Sequence, residues 1–256
     1  MKSASGFEMH MLLDHQSAVS RVASVGPPPI KIGIPRCVEA ILAFLALLGS
    51  VPLIILSVAA IRVTSPGPAL FRQRRIGKNG QPFVLVKLRT MVEQSHGPQV
   101  TATTDSRVTR VGRLLRRMKL DELPEFWNVL KGDMSLVGPR PEVPRYVDLG
   151  NPSWQIVLQT RPGLTDPVTL RLRNEEQLLA AVEGDVERFY LEVLQPVKLR
   201  GYLEYLQMRS WIEDLKVIVR TAIGVIRPGL IPSPSADEVR LEASNLINQG
   251  ALSEKS

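Results

Sequence analysis

The chain has 256 residues, 44% of them hydrophobic and 22% charged, and its net charge of +7 predicts anionic partners: nucleic acid, phospholipid headgroups or phosphorylated substrates. Three scattered histidines and one cysteine exclude a disulfide framework and a Cys/His metal site, so any metal would be a hard cation held by carboxylates. Aromatic residues make up only 5% and form no stacking ladder between basic residues, which argues against single-stranded nucleic acid as the partner.

The first 30 residues lack sustained periodicity and predict a mobile segment, because they have neither a signal peptide's apolar region nor the composition of a domain. The next segment, residues 31–64, contains no charge over the roughly 22 residues from Ala40 to Ile61. About 20 apolar residues suffice to cross a bilayer as a helix. We therefore expect this segment to lie in the membrane.

Basic residues flank the membrane segment on both sides, since Lys31 and Arg36 precede it and Arg62 begins a basic stretch after it. Both ends therefore carry the charge that favours the cytoplasmic side. Near the middle, Pro52 follows Ser50 and favours a kink, because proline removes a helical N–H and its ring clashes with the preceding turn. Two interpretations stay open: a re-entrant helix that bends around Ser50 and Pro52, and a kinked helix that crosses the bilayer.

Beyond the membrane segment, the alternation over residues 83–88 predicts a strand, preceded by a turn at residues 78–81. Apolar residues at helical spacing among the arginines of residues 107–120 predict an amphipathic basic helix, either solvated or facing lipid or phosphates. Residues 184–226 predict two or three helices, interrupted around Gln195 and Pro196. From Pro228 onward the composition predicts an end that packs loosely.

Two adjacent carboxylates, Asp121 and Glu122, stand in the stretch KLDELPEFWNVLKGDMSLVGPRPE. Proline at position 124 and Gly132 predict a helix from Asp121 or Glu122 to Lys131. At such a helix start the dipole would lower the pKa of an aspartate and favour a phosphate. Adjacent side chains on a helix point about 100° apart, so the pair should not share a proton and should divide its functions.

Basic residues surround this carboxylate pair in the sequence: Arg116 precedes it, Arg140 follows between two prolines, and Arg161 lies further on. Planar guanidinium groups bind phosphate oxygens in a bidentate manner. With one carboxylate as nucleophile or base and the other as the ligand of a divalent cation, these residues would form a diphosphate site. The alternative is that the Asp-Glu pair only caps a helix.

The stretch LDELPEFWNVLKGDMSLVGPRPE strongly resembles the bacterial sugar transferases, the small monotopic polyprenyl-phosphate phosphoglycosyl transferases. The resemblance continues in SPGPALFRQRRIGKNGQPFVLVKLRTM, DSRVTRVGRLLRRMKL and QTRPGLT, and covers roughly residues 36–226. It implies a helix-dominated α/β, membrane-associated monotopic fold with a re-entrant membrane helix at residues 31–64 and a compact cytoplasmic catalytic domain at residues 65–232, followed by a tail at 233–256. The protein would then lie at the cytoplasmic face of the bacterial inner membrane.

The resemblance also implies a reaction, the transfer of a sugar-1-phosphate from a UDP-sugar to undecaprenyl phosphate or another polyprenyl phosphate. Asp121 matches the family's nucleophile, which attacks the β-phosphorus, releases UMP and forms a covalent aspartyl phosphosugar. Glu122 matches the carboxylate that helps to hold Mg²⁺. The residues that match the family's phosphate contacts and basic motif are Arg116, Arg140, Arg161, Lys87 and Arg89.

The chain departs from the family after RPGLT, where many relatives continue with GWAQV and this sequence continues with DPVTLRLRNEEQLL, so the sugar stays open. Larger relatives carry a further membrane bundle, and we expect this chain to be a minimal catalytic unit. It would initiate exopolysaccharide, O-antigen or related glycan assembly and pass its product to downstream glycosyltransferases. The alternatives are a noncatalytic membrane scaffold of an assembly complex, which would tolerate Asp121→Asn, and a soluble nucleic-acid binder.

Overall fold

The computed structural model describes residues 31–93 and 100–253, so the predicted mobile segment at residues 1–30 lies outside the described residues. The described part is mostly helical, as a helix-dominated α/β fold requires. Its helices are α1 (Arg36–Thr64), α2 (Arg110–Arg117), α3 (Glu125–Lys131), α4 (Pro152–Val157), α5 (Pro167–Arg171), α6 (Glu175–Ala180), α7 (Val186–Phe189), α8 (Gln195–Met208), α9 (Trp211–Ile226) and α10 (Ala236–Ser253). Its strands are β1 (Leu70–Ile76), β2 (Pro82–Leu88), β3 (Ser135–Val137) and β4 (Gly163–Thr165).

Helix α1 is the predicted membrane segment, 29 residues long, with a mean hydropathy of 2.6 over its most apolar window. It is long and apolar enough to cross a bilayer, and most of its leucine and isoleucine side chains are exposed. The helix continues through Pro52, and the Ser50 hydroxyl, buried on one face, donates to the Leu47 carbonyl at 2.8 Å. The helix is therefore compatible with membrane association, while its bend at Ser50 and Pro52 stays a prediction.

The N-terminal end of α1 is attached to the elements that follow the carboxylate pair. The Arg36 guanidinium donates to the carbonyl of Leu130, in the last turn of α3, at 3.1 Å and to that of Met134, just before β3, at 3.3 Å. The Glu39 carboxylate accepts from the backbone N–H of Leu136 at 3.1 Å. Because these partners lie at least 90 residues away in sequence, the attachment is tertiary and could not be read from helical periodicity.

The C-terminal end of α1 also contacts the domain, through a small apolar cluster in which buried Ile61 packs with Leu88 of β2 and Leu115 of α2. The Arg89 side chain then donates to the carbonyls of Ser65 at 2.8 Å and Pro66 at 2.6 Å, directly after the helix. Both ends of α1 are thus bound to one domain.

Strands β1 and β2 form an antiparallel hairpin in which Leu70 pairs with Leu88 and Ile76 with Pro82. The sequence predicted β2 and its turn, which the 3₁₀ turn Lys78–Gly80 confirms, but it missed β1. The sequence of β1 is LFRQRRI, in which charged side chains interrupt the alternation of apolar and polar residues. Only its pairing with β2 identifies it as a strand.

Strands β3 and β4 pair in parallel, with Ser135 opposite Gly163. A Cβ atom at Gly163 would lie 2.1 Å from the backbone nitrogen of Gly138, so only glycine allows this close approach of the two segments. The pairing places the loop after β3, which contains Arg140, beside β4 and the segment that begins at Asp166.

The main core is built from α8, the segments around it and the last helix. The interruption predicted around Gln195 and Pro196 is present, because a π-helix, Tyr190–Leu194, ends there and α8 begins at Gln195, with Pro196 in its first turn. The prediction for the C-terminal end was wrong. The segment predicted to be a loose tail forms α10 and packs into the core through fully buried Val239 and Ala243, because an apolar stripe at a spacing of four residues outweighs the polar average.

Candidate active site

The carboxylate pair lies in a 3₁₀ turn, Leu120–Glu122, and helix α3 begins only at Glu125. The predicted helix start at Asp121 or Glu122 was therefore wrong, whereas its end at Lys131, followed by Gly132 with a φ of 92°, is confirmed. The 3₁₀ turn follows Lys119, whose φ of 56° is left-handed and separates the turn from α2. A left-handed residue before the pair and Pro124 after it keep both carboxylates out of regular helix.

Asp121 is 7% exposed, and its Oδ1 is buried without a hydrogen-bond partner among the described residues. Burial raises its pKa, and the negative charge of Glu122 raises it further, against a smaller lowering by Lys87, Lys119 and Arg116. The expectation that a helix dipole lowers this pKa was wrong, because the side chain lies in a buried 3₁₀ turn beside a second carboxylate rather than at a helix start.

Glu122 has the opposite surroundings. Its Oε1 accepts a hydrogen bond from Lys87 Nζ at 3.2 Å and another from Arg140 Nη2. Burial opposes its ionisation, but the positive charges of Arg140 and Lys87 hold the pKa of Glu122 well below its usual value. The two carboxylates therefore have different partners and pKa shifts of opposite direction, and the division of their functions stays a prediction.

A third carboxylate, Glu125, belongs to the site, and the sequence reasoning missed it. It is 1% exposed, and its Oε1 lies 3.0 Å from Lys87 Nζ, so that Lys87 bridges Glu122 and Glu125. Burial raises the pKa of Glu125. Its position three residues after Glu122 was the available signal, because residues at that spacing lie close together in helical structure.

Arg140 contacts Glu122 from a loop that is bound by residues of β1 and α8. The Arg75 guanidinium donates to the Pro141 carbonyl at 2.9 Å, which attaches the loop to β1. The Glu142 carboxylate is buried and accepts from Lys198 Nζ of α8 at 3.4 Å. No chemistry was predicted for Lys198, because it lies 56 residues from its partner and only the fold brings them together.

Arg116 is the second arginine near the pair. Its Nε donates to Thr90 Oγ1 at 2.8 Å and its Nη1 to Glu176 Oε1 at 2.7 Å. The positive charge of Arg116 lowers the pKa of Asp121, although less than that of Lys87 does. Sequence reasoning predicted Arg116 itself but neither of the residues that hold it.

The remaining predicted basic residues have other partners. Arg161 donates to the Gly132 carbonyl at 3.0 Å, after the C-terminal end of α3, and Arg89 donates to the two carbonyls that follow α1. Among the described residues, no hydrogen bond or ion pair joins either arginine to Asp121 or Glu122. The structure therefore brings Lys87, Arg116 and Arg140 toward the carboxylates, while Arg89 and Arg161 connect segments of backbone.

A metal site can be tested on the donor atoms. The part of the chain that the structure describes contains no cluster of three or more histidine, cysteine or acidic side chains of the kind that holds a metal alone. Mg²⁺ is commonly bound by only one or two carboxylates, with substrate phosphates and water supplying the other oxygens. The unpartnered Oδ1 of Asp121 beside Glu122 fits such a two-carboxylate site, and Mg²⁺ remains a prediction.

Comparisons with known proteins identify the family to which the chain is similar. The family model for bacterial sugar transferases matches residues 30–228. UDP-glucose:undecaprenyl-phosphate glucose-1-phosphate transferase of Caulobacter vibrioides is 40% identical over 190 residues, which are 72% of this chain and 65% of the relative. UDP-N-acetylgalactosamine-undecaprenyl-phosphate N-acetylgalactosaminephosphotransferase of Aeromonas hydrophila is 44% identical over 131 residues, which are 50% of this chain and 31% of the relative.

A third relative, exopolysaccharide production protein ExoY of Sinorhizobium fredii, is 32% identical over 205 residues, which are 73% of this chain and 82% of the relative. The chain thus spans less than two thirds of the length of the first two relatives and most of the third. The match to the family model includes Asp121, Glu122, Lys87, Arg116 and Arg140. The chain belongs to the bacterial sugar transferase family.

Proposed function

We propose that this protein transfers a sugar-1-phosphate from a UDP-sugar to undecaprenyl phosphate, releases UMP, and thereby initiates exopolysaccharide or related glycan assembly. The names of the Caulobacter and Aeromonas relatives describe transfers of this class to undecaprenyl phosphate. The observation that carries the proposal is the buried Asp121 beside an ionised Glu122, with Arg140 and Lys87 bound to the latter.

In the first step, an Asp121 carboxylate oxygen attacks the β-phosphorus of the donor, and the bond from that phosphorus to the bridging oxygen breaks. UMP leaves with the electron pair, and the sugar phosphate stays on Asp121 as a mixed anhydride. In the second step, an oxygen of the lipid phosphate attacks the same phosphorus, and the Asp121 carboxylate leaves. Burial favours the attack, because an unsolvated carboxylate with a raised pKa is the more reactive nucleophile.

The neighbouring residues would neutralise the negative charge of the donor's phosphates. Arg140 and Arg116 offer donors to the phosphate oxygens as negative charge moves toward UMP. Glu122, with Asp121 beside it, would hold Mg²⁺, which would neutralise the diphosphate further. Lys87 stays between Glu122 and Glu125 and keeps the former ionised.

We further propose that α1 is re-entrant and that the domain lies at the cytoplasmic face of the bacterial inner membrane. Both ends of α1 contact the same domain, and both flanks are basic, which supports one side for both ends. The backbone N–H of Ile34, just before α1, donates to Asp214 of α9 at 3.2 Å. Helix α9 exposes apolar side chains on the neighbouring surface, which suits a membrane interface: Trp211, Ile212, Leu215, Val219 and Ile223.

The function is tested by incubating purified, detergent-solubilised protein with Mg²⁺, undecaprenyl phosphate and a panel of UDP-sugars, and identifying the nucleotide released. We expect UMP with one or a few sugars, and a loss of turnover of at least about 10³-fold in Asp121→Asn, because the covalent step loses its nucleophile. Release of UDP would show that the sugar moves without its phosphate. No nucleotide from any sugar in a folded sample would favour the scaffold.

A further inference from the structure

Arg116 is held from two sides by residues of different segments. Thr90, which follows β2, accepts from Arg116 Nε at 2.8 Å, and Glu176 of α6 accepts from Arg116 Nη1 at 2.7 Å. The Arg116 side chain is 19% exposed and that of Glu176 is 41% exposed, so the pair lies at the edge of the site rather than in the core. Among the described residues no hydrogen bond occupies Nη2, which leaves that nitrogen for a ligand.

Glu176 is itself fixed in place. Its backbone carbonyl accepts from the Thr103 N–H at 3.0 Å, and its neighbour Glu175 accepts from the buried Lys198 Nζ at 3.3 Å. Lys198 also binds Glu142, in the loop of Arg140. Helix α6 therefore contacts Arg116 directly through Glu176. Through Glu175 and Lys198 it also contacts the loop that contains Arg140.

The two partners of Arg116 lie far apart in the sequence. Thr90 stands in the stretch KLRTM, 26 residues before Arg116, and Glu176 lies in α6, 60 residues after it. Only the fold therefore brings both acceptors to one guanidinium group.

We propose that Thr90 and Glu176 are positioning residues that hold Arg116 in the orientation in which its free Nη2 binds a phosphate of the nucleotide-sugar donor. This inference rests on the proposed function. A long arginine side chain loses rotamer freedom when it binds a ligand, and two fixed acceptors remove that freedom beforehand. The two acceptors contact Nε and Nη1, so the guanidinium plane is set without consuming its third nitrogen.

The first test measures initial rates of UMP release against UDP-sugar concentration, with the full chain in detergent and the sugar that the panel identifies. We expect Glu176→Ala to raise KM for the donor by about twofold to fivefold, the range of a partly exposed ion pair, with kcat unchanged within error. Glu176→Gln keeps an acceptor oxygen and should fall between Glu176→Ala and the original protein. Thr90→Val, which preserves shape, should raise KM in the same direction.

The matched control is Glu242→Ala. It removes the exposed ion pair between Arg171 and Glu242, which resembles the Arg116 pair in chemistry and exposure but lies on α10. It should leave KM and kcat unchanged. A KM unaffected by both Glu176→Ala and Thr90→Val would overturn the proposal, and a lowered KM would overturn it by showing that Glu176 competes with phosphate.

A second test does not depend on turnover, so that failure of the proposed function and failure of this inference are distinguishable. Binding of UDP is measured by calorimetry to Asp121→Asn protein with and without Glu176→Ala. The added substitution should raise the Kd for UDP by about twofold to fivefold. An unchanged Kd would refute the positioning role even if the original protein released no UMP.

Discussion

At the scale of single residues, Asp121 is buried, although its proposed role as nucleophile requires a negative charge. Asp121 has its pKa raised by burial and by Glu122, yet it must lose its proton to attack phosphorus. Between the ordinary aspartate pKa and this raised value, the folded protein binds more protons than the unfolded chain, so stability falls as the pH rises through that window. At neutral pH the raised pKa of Asp121 therefore lowers the stability of the folded protein relative to an aspartate with an ordinary pKa.

Asp121→Asn should for this reason be inactive but more stable at pH 7. We expect its melting temperature in detergent to rise by about 2–4 °C, the change that about 1 kcal/mol produces in a domain of this size. The gain should shrink as the pH falls toward the ordinary aspartate pKa, where the original side chain is protonated as well. A melting temperature that falls at pH 7, with the fold intact by circular dichroism, would contradict a pKa of Asp121 that burial raises.

At the scale of elements, the attachment of α1 to α3 and β3 connects the membrane segment with the site. Arg36 donates to the Leu130 carbonyl in the last turn of α3, where helical carbonyls lack partners of their own, and to the Met134 carbonyl before β3. Within residues 31–93 and 100–253, Arg62 at the other end of the same helix donates one hydrogen bond, from Nη1 to the Gly67 carbonyl at 3.3 Å, and is exposed. The two arginines therefore have unequal expected effects on stability.

Arg36→Ala should lower the free energy of unfolding by about 1–3 kcal/mol, because several carbonyls lose a charged donor. Arg62→Ala is the matched control and should change it by less than about 0.5 kcal/mol. Thermal unfolding in one detergent, followed by circular dichroism, measures both variants. Equal effects of the two substitutions would show that the contacts of Arg36 do not attach α1 to the domain.

At the scale of the whole molecule, a re-entrant α1 places both of its ends on one side of the bilayer. The exposed native thiol, Cys37, must first be replaced by serine. In that background, Ile32→Cys and Val63→Cys introduce thiols at positions that are 87% and 86% exposed, one at each end of the helix. In intact cells neither should react with an impermeant maleimide applied to the outer face, and both should react once the membrane is permeabilised. Labelling of one end in intact cells would demonstrate a crossing helix.

The sequence by itself determined the features that depend on neighbouring residues. The apolar run predicted α1, alternation predicted β2, helical spacing predicted α2, and a glycine predicted the end of α3. The motif around Asp121, Glu122 and Arg140 was identified in the same way, because its residues lie within a short stretch and their types limit the chemistry.

The tertiary structure alone decided what depends on distant partners. The bridging of two carboxylates by Lys87 and the acceptors of Arg116 come from segments 26 to 60 residues away, and no local period carries that information. The direction in which the pKa of Asp121 shifts also depends on distant residues. A helix-dipole argument needs only the sequence, whereas desolvation depends on how completely the rest of the chain surrounds the carboxylate, and here desolvation is the largest contribution.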